Sequence, residues 1–220
     1  FSPNDGAVDN VVLIEALERL CSASKRIARA EDAVASIHPA SDSCGVVTES
    51  GTRHTAERVV IAAGAWAGKI SGAWFARVVE PARGQLVSYS ASPLRHVAYG
   101  PRGYVVPRGD ATIGGSTMEN VGFDSSTTTS GVKRVRAAAE EICPSLASAE
   151  RVSQWAGLRP ITPDMLPILG ADPEFPSLIY ACGHSRNGVL MAPLTGDLIA
   201  DLVTETPLSH DLDQFRPDRF

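Results

Sequence analysis

The chain has 220 residues, 44% of them hydrophobic, and a formal net charge of -5, enough length to bury a core as one large domain or two small ones. The acidic balance argues against an electrostatic nucleic-acid footprint, because the basic residues are scattered and the one tight patch, Lys133, Arg134 and Arg136, fits a solvated helix face. No apolar run approaches the ~18 residues that a membrane-spanning helix requires.

Phe1 opens the sequence, and FSPNDGAVDN has no signal-peptide character; it reads as a chain entered partway through. Asp9 is placed to cap a helix predicted over residues 10–21, where Leu13, Ile14, Leu17 and Leu20 make one apolar stripe. Two strands are predicted at 33–38 and 45–49, with a turn at Ser50-Gly51. In RVVIAAGAWAGKI the short apolar run 59–62 reads as a strand buried on both faces. The small residues Ala62, Ala63, Gly64 and Ala65 at its end permit close approach of a ligand. From Ala76 to Met118 the texture changes to RVVE, GQLVSY, HVAYG, GYVVPR and ATIGGSTM, short runs split by Pro and Gly that predict an antiparallel sheet. A polar linker over 124–130 leads to a helix over about 131–142, with Val132, Val135, Ala139 and Ile142 on one face and Pro144 ending it. A strand, LIYA, covers 178–181. The polar loop GHSRNG follows at 183–188, and a last helix is predicted from Pro193 to about Val203.

The four cysteines, Cys21, Cys44, Cys143 and Cys182, are far apart with no CxxC pair, which suits buried thiols in a reducing compartment. The five histidines show no HxxxH or HExxH spacing, so no metal site is expected. In WAGLRP, Arg159 stands among apolar residues. It either pairs with an internal carboxylate such as Asp164 or grips a ligand carboxylate through two parallel N–H···O bonds, which Lys cannot do. In GYVVPR, alternation puts Tyr104 and Val106 on one strand face, where a tyrosine by itself signals packing. ATIGGSTM reads as the hairpin partner across Gly109-Asp110. GHSRNG is either a plain connecting turn or a helix entrance whose free amides face an anionic ligand.

Taken together, VVIAAGAWAG (59–68), PARGQLV (81–87), GYVVPR (103–108), IGGSTM (113–118), WAGLRPITPD (155–164) and GHSRNGVLMAPLTG (183–196) resemble the D-amino-acid-oxidase-like family of FAD-dependent amine oxidoreductases. The likeness is greatest to its glycine oxidase branch, linked to thiamine biosynthesis. The resemblance implies an α/β fold of mixed α+β character, with a Rossmann-like FAD-binding domain and a substrate domain built on a mixed, largely antiparallel sheet. Residues 1–75 would be the middle part of the FAD domain, 76–155 the substrate domain, 156–206 the return to the FAD domain and 207–220 a tail.

By the same resemblance Arg159 matches the arginine that holds the substrate carboxylate. Tyr104 matches a tyrosine assisting it, Met118 a pocket-lining methionine, and Arg186 an arginine near the substrate. Gly183, Arg186, Asn187, Gly188 and Val189 would face the flavin, the last three through backbone amides at its pyrimidine edge. Ala63 and Gly64 would lie near the adenosine side. No cysteine lies within WAGLRPITPD, where relatives attach flavin covalently, so FAD is expected to be non-covalent. The implied reaction is oxidation of a small amino acid to an imino acid, then to a keto acid and ammonia, with oxygen or another acceptor taking the electrons and oxygen yielding hydrogen peroxide. A D-amino acid or sarcosine oxidase, a dehydrogenase, or a truncated non-catalytic binding module are the alternatives. No nucleic acid or membrane span is expected as a partner, a homo-oligomer is left open, and the localisation implied is cytoplasmic. One departure stands out: no GxGxxG occurs anywhere in the chain. The expectation is therefore a C-terminal portion, or a chain whose flavin-binding N-terminal part is separate.

Overall fold

The computed structural model describes residues 6–220; FSPND at the start lies outside them. In chain order the elements are α1 (Asn10–Ala23), β1 (Val34–Pro39), β2 (Cys44–Thr48), β3 (Arg53–Ala56), β4 (Val59–Ile61), β5 (Glu80–Tyr89), β6 (Ala98–Gly100), β7 (Gly103–Arg108), β8 (Ala111–Gly115), α2 (Thr129–Ile142), β9 (Arg151–Ile161), β10 (Ile168–Ala171), β11 (Leu178–Cys182) and α3 (Gly188–Thr204), joined by loops and short 3₁₀ turns. Two compact units form. The first holds 6–29 and Ala82–Leu158, the second Ala30–Pro81 and Arg159–Phe220. Compactness thus divides the segment 1–75, read above as one piece, after Arg29.

In the first unit a five-stranded sheet runs in the order β6-β7-β8-β5-β9, and the pairs β6–β7, β7–β8 and β8–β5 are antiparallel. Residues 83, 85, 87 and 89 of β5 alternate onto one face, because strand side chains have a period of two. On that face Val87 and Tyr89 pack with Val105 and with Val132, Val135 and Ala139 of α2. α2 forms as predicted but begins two residues earlier, at Thr129, because Thr128 accepts the Gly131 N–H at 3.1 Å as its cap.

α1 also forms as predicted, with Asp9 Oδ1 accepting the amides of Val11 at 3.0 Å and Val12 at 3.3 Å. Its apolar residues, however, are not covered: Val11, Val12, Ile14, Leu17 and Leu20 are all exposed and the helix has no buried residue. Periodicity finds the helix but says nothing of what packs on it.

The second unit has two three-stranded sheets. β1-β2-β3 is an antiparallel meander, and β10-β11-β4 combines an antiparallel pair, β10–β11, with a parallel one, β11–β4. Its core gathers Ile37, Ile61, Ala67, Ala76, Ile168, Leu178 and Tyr180. The expectation that β4 is buried on both faces is corrected: β4 is an edge strand of its sheet and Val60 is exposed, while Ile61 is buried. Tyr180 is fully buried, stacks edge-on against Phe75 at 5.9 Å and donates to Asp172 Oδ2 at 3.1 Å. Burial and the adjacent Asp172 carboxylate raise its pKa. Three of the four thiols, Cys44, Cys143 and Cys182, are buried; Cys21 is exposed.

α3 corrects the expected start at Pro193. The helix opens five residues earlier at Gly188 and carries Pro193 inside it. Proline fits an N-terminal turn, but the apolar run before it already takes helical geometry, so the proline sits beyond the first turn and one backbone hydrogen bond is lost.

The C-terminal 3₁₀ turn, Pro217–Arg219, closes the second unit. Arg219 grips Asp164 with Nε–Oδ2 at 2.8 Å and Nη2–Oδ1 at 3.2 Å, and donates to the Leu166 carbonyl at 2.9 Å. Its hydrogen bonds, with the Leu166 amide beside it, lower the Asp164 pKa to about 2. A carboxyl held below its unfolded value contributes stability that is complete above that unfolded value, and that stability is lost as pH falls through the folded one. The carboxylate is partly exposed, so solvent screening brings the pair's worth to about 1 kcal/mol. Asp164→Asn is therefore expected to be less stable than the parent by about 1 kcal/mol at pH 7. In urea titrations that difference should close between about pH 4 and pH 2.

Candidate functional site

The site in the second unit follows from strand direction. β11 and β4 pair in parallel with Leu178 opposite Val59 and Tyr180 opposite Ile61, so both strands end on the same side. The exits 62–64 and 182–184 therefore leave next to each other, and open α/β sheets bind their ligands beyond such carboxyl ends. Both exits use glycine in the left-handed region, Gly64 at φ 54 and Gly183 at φ 77. A Cβ at Gly64 would meet nothing within 4 Å, leaving that exit open, whereas one at Gly183 would lie 2.6 Å from Thr162 Cγ2.

The second exit is also tied to the strand that carries Arg159. Ser185, itself left-handed at φ 52, donates its amide to the Pro160 carbonyl at 2.8 Å. The chain then turns, with Asn187 N–H donating to the His184 carbonyl at 2.9 Å, and enters α3. Asn187 supplies no side-chain cap, and the Met191 N–H donates to the Asn187 carbonyl. The amides of Gly188, Val189 and Leu190 precede that bond and so have no helical acceptor, which leaves a cluster of donors at a positive helix end. His184 reaches the second turn of α3 through Nε2 and Thr195 Oγ1 at 3.1 Å, and burial lowers its pKa, favouring the neutral imidazole. Burial pushes the Cys182 thiol up to about 12, so it stays protonated. The buried Ser185 Oγ has no hydrogen-bond partner.

Of the residues singled out in the sequence, the structure brings Ala63, Gly64, Gly183, Asn187, Gly188 and Val189 to these paired exits. Arg159 is half-buried and one residue from the Pro160 anchor. Arg186 is exposed and makes no ion pair among the described residues. Asp164, the internal partner that the sequence offered to Arg159, is taken by Arg219. Thr162, Pro160 and the His184–Thr195 pair were not found from the sequence, because those contacts join segments that no local pattern links.

Tyr104 and Met118 belong to the first unit. Tyr104 lies opposite Gly115 across β7–β8, and a Cβ at Gly115 would meet the Tyr104 phenol at 2.6 Å, so the ring lies over that glycine. Tyr99 packs beside it at 6.1 Å. Val105 faces the core under α2, which puts Tyr104 on the opposite face of the sheet. Met118, three residues beyond Gly115, is 51% exposed, so packing does not fix its side chain. A cavity of about 870 Å³ in this unit is lined by Ser116, Thr117, Met118 and Glu119 with Ser130, Lys133 and Arg134. Among the described residues no group of three or more His, Cys, Asp and Glu could hold a metal ion, and no helix is long and apolar enough to cross a membrane.

Small residues at two adjacent parallel strand ends and an uncapped helix start suit one edge of a nucleotide-type cofactor, on a mixed α/β fold. The chain belongs to the FAD dependent oxidoreductase family (DAO), whose model matches residues 1–202. It is 40% identical over 185 residues to the glycine oxidase of Geobacillus kaustophilus, covering 80% of this chain and 48% of that protein. It is 34% identical over 229 residues to the bifunctional protein ThiO/ThiG of Synechocystis sp., covering 100% of this chain and 34% of that protein. Among solved structures, the glycine oxidase of Geobacillus kaustophilus matches with a TM-score of 0.75 at 36% identity, over 85% of this chain and 52% of that one. Iminodiacetate oxidase from Chelativorans sp. BNC1 matches with a TM-score of 0.84 at 26% identity, over 96% of this chain and 58% of that one. The chain thus spans about half the length of the curated glycine oxidase it matches.

Two glycines make the geometry testable. Gly183→Ala forces a left-handed alanine against Thr162 and is expected to destabilise the protein by about 1–3 kcal/mol in denaturant titrations. Gly115→Ala meets only the far end of a side chain that can swing. Its stability should stay within about 1 kcal/mol of the parent while the Tyr104 ring is displaced, seen as a change in near-ultraviolet circular dichroism.

Proposed function

We propose that this chain supplies the substrate-anchoring and flavin-edge residues of an enzyme that oxidises the C–N bond of a small amino acid, glycine foremost. The products are the imino acid, then the keto acid and ammonia, with oxygen reduced to hydrogen peroxide. One observation carries the reading: the Ser185 N–H···O=C Pro160 bond of 2.8 Å joins the Arg159 strand end to the uncapped start of α3. The bond supports a reading in which Arg159, one residue before Pro160, and the backbone donors of α3 serve one corner of the second unit. The names of the glycine oxidase relatives support the substrate class. In this reading the second unit supplies Arg159 and the flavin-edge donors, and Tyr104 and Met118 belong to the first unit.

The paired exits and helix start fit one edge of FAD, held without a covalent bond, since no cysteine lies in 155–164 and the Cys182 thiol is buried and protonated. When bound, FAD supplies the acceptor for the two electrons and the hydrogen leaving the substrate carbon. Arg159 fixes the substrate carboxylate through charge-assisted, bidentate hydrogen bonds, so that one face of the amino acid is presented and rotation is frozen. The amides of Gly188 and Val189 and the α3 dipole stabilise negative charge at the pyrimidine edge. Ala63 and Gly64 leave the neighbouring strand exit open for the adenosine side. No side chain is required as a base when the amine enters neutral, and His184 is turned away to Thr195.

The test is Arg159→Lys beside Arg159→Ala in the flavin-loaded protein. Losing a charged, bidentate contact is expected to raise KM for glycine about 10- to 100-fold, with Arg159→Lys recovering only part of it. An unchanged KM in both variants rejects the assignment. Peroxide release measured with glycine, sarcosine and D-alanine separates glycine from the other amines of the family, and an artificial electron acceptor separates oxidase from dehydrogenase.

A further inference from the structure

Met118 sits in a loop tied to β5 on both of its sides, through the Thr117 side chain before it and the Glu119 backbone after it. On its N-terminal side, Thr117 Oγ1 accepts the Gln85 amide at 3.0 Å. On its C-terminal side, Glu119 exchanges both backbone hydrogen bonds with Arg83, at 2.8 and 2.9 Å. The Glu119 carboxylate is then held by the Arg83 guanidinium, with Nε–Oε2 at 2.8 Å and Nη2–Oε2 at 2.7 Å, by the Gln85 amide at 3.0 and 3.1 Å, and by Arg134.

The Arg83 side chain is only 5% exposed, and its guanidinium also holds Asp124 at 2.6 Å and the Ser126 carbonyl at 3.1 Å. Gln85 meanwhile accepts the Thr128 amide at 2.8 Å and donates to Thr128 Oγ1 at 3.1 Å, tying the same strand to the cap of α2. The network centres on Arg83 and Glu119, with the more exposed Asp124 and Arg134 at its rim, and each of the two central groups is held by several partners. Met118 itself is half exposed, so the backbone on either side, and not packing of its own side chain, decides where it stands.

We propose that Arg83, Gln85 and Glu119 are positioning residues that hold Met118 in place and so set how large an amino acid the site accepts. The inference rests on the reading of Met118 as a substrate-lining residue. Arg83 and Gln85 touch no substrate; they act through the loop. Supporting residues of this sort decide whether a site is tight or loose by an ångström.

The experiment compares kcat/KM for glycine with that for D-alanine in the flavin-loaded protein. Met118→Ala should lower the glycine preference on the order of tenfold, the scale of one methylene in a fitted pocket. Thr117→Val removes one flank of the grip and leaves no buried charge unpaired; Glu119→Gln loosens the other. Each should shift the ratio in the direction of Met118→Ala, with peroxide yield per flavin unchanged, and neither should shift it further in the Met118→Ala background. A preference unchanged in Thr117→Val and Glu119→Gln while Met118→Ala moves it overturns the positioning role. So does an equal shift in both backgrounds. A preference unchanged in Met118→Ala removes the substrate-lining reading instead, and the inference with it. Should Glu119→Gln not fold, Thr117→Val decides alone.

Discussion

The hydrogen bond from Ser185 N–H to the Pro160 carbonyl, 2.8 Å long, links two segments that the chain separates by 25 positions. Its donor can point that way only because Gly183 and Ser185 both take left-handed backbone angles. Gly183 in turn can approach Thr162 only because it lacks a Cβ. Parallel pairing of β11 with β4 sets the direction in which the loop leaves the sheet. Remove any of these and the end of β9 at Pro160 is no longer tied to the loop that enters α3. The corner is therefore a single geometric unit in which a strand end, a glycine exit and a helix start determine one another.

The first unit achieves order by a different route. Its loop between β8 and α2 has little apolar weight of its own, and charge does the ordering: a buried guanidinium with two carboxylates, one of them also shared with an amide and an exposed arginine. Desolvation alone would raise the Glu119 pKa, yet the hydrogen bonds and charges of Arg83, Gln85 and Arg134 lower it overall. Hydrogen bonding thus outweighs burial, and the carboxylate remains ionised where the loop requires an acceptor. An apolar staple in the same place would hold the loop but would not fix both backbone edges of Met118 at once.

Much of this was legible in the sequence where the signal is local. α2 is announced by the spacing of Val132, Val135, Ala139 and Ile142 and by Pro144 after it; the β7–β8 hairpin by alternation around Gly109-Asp110. The family was legible too, because its motifs occur in order along most of the chain, and the profile match over residues 1–202 agrees. β3 was missed because Arg53–Ala56 is polar and fully exposed, with only β2 to define it. β9 was missed because Gly157 and Pro160 interrupt its alternation, and its place comes from β5 beside it. The partner of Asp164 was illegible for the same reason: Arg219 lies 55 positions away, and only tertiary structure chooses it over Arg159. Local chemistry is written in the sequence; long-range choice between equal partners is not.

Pro193 within α3 has a mechanical consequence. Its ring nitrogen cannot donate to the Val189 carbonyl, so the first turn, 188–192, is stitched to the rest of the helix by one bond fewer. The donors at the helix start therefore belong to a short segment before the proline, while the His184–Thr195 hydrogen bond ties the loop to the helix beyond it. The body of α3, by contrast, is packed through Leu198 on Leu169 and Leu212.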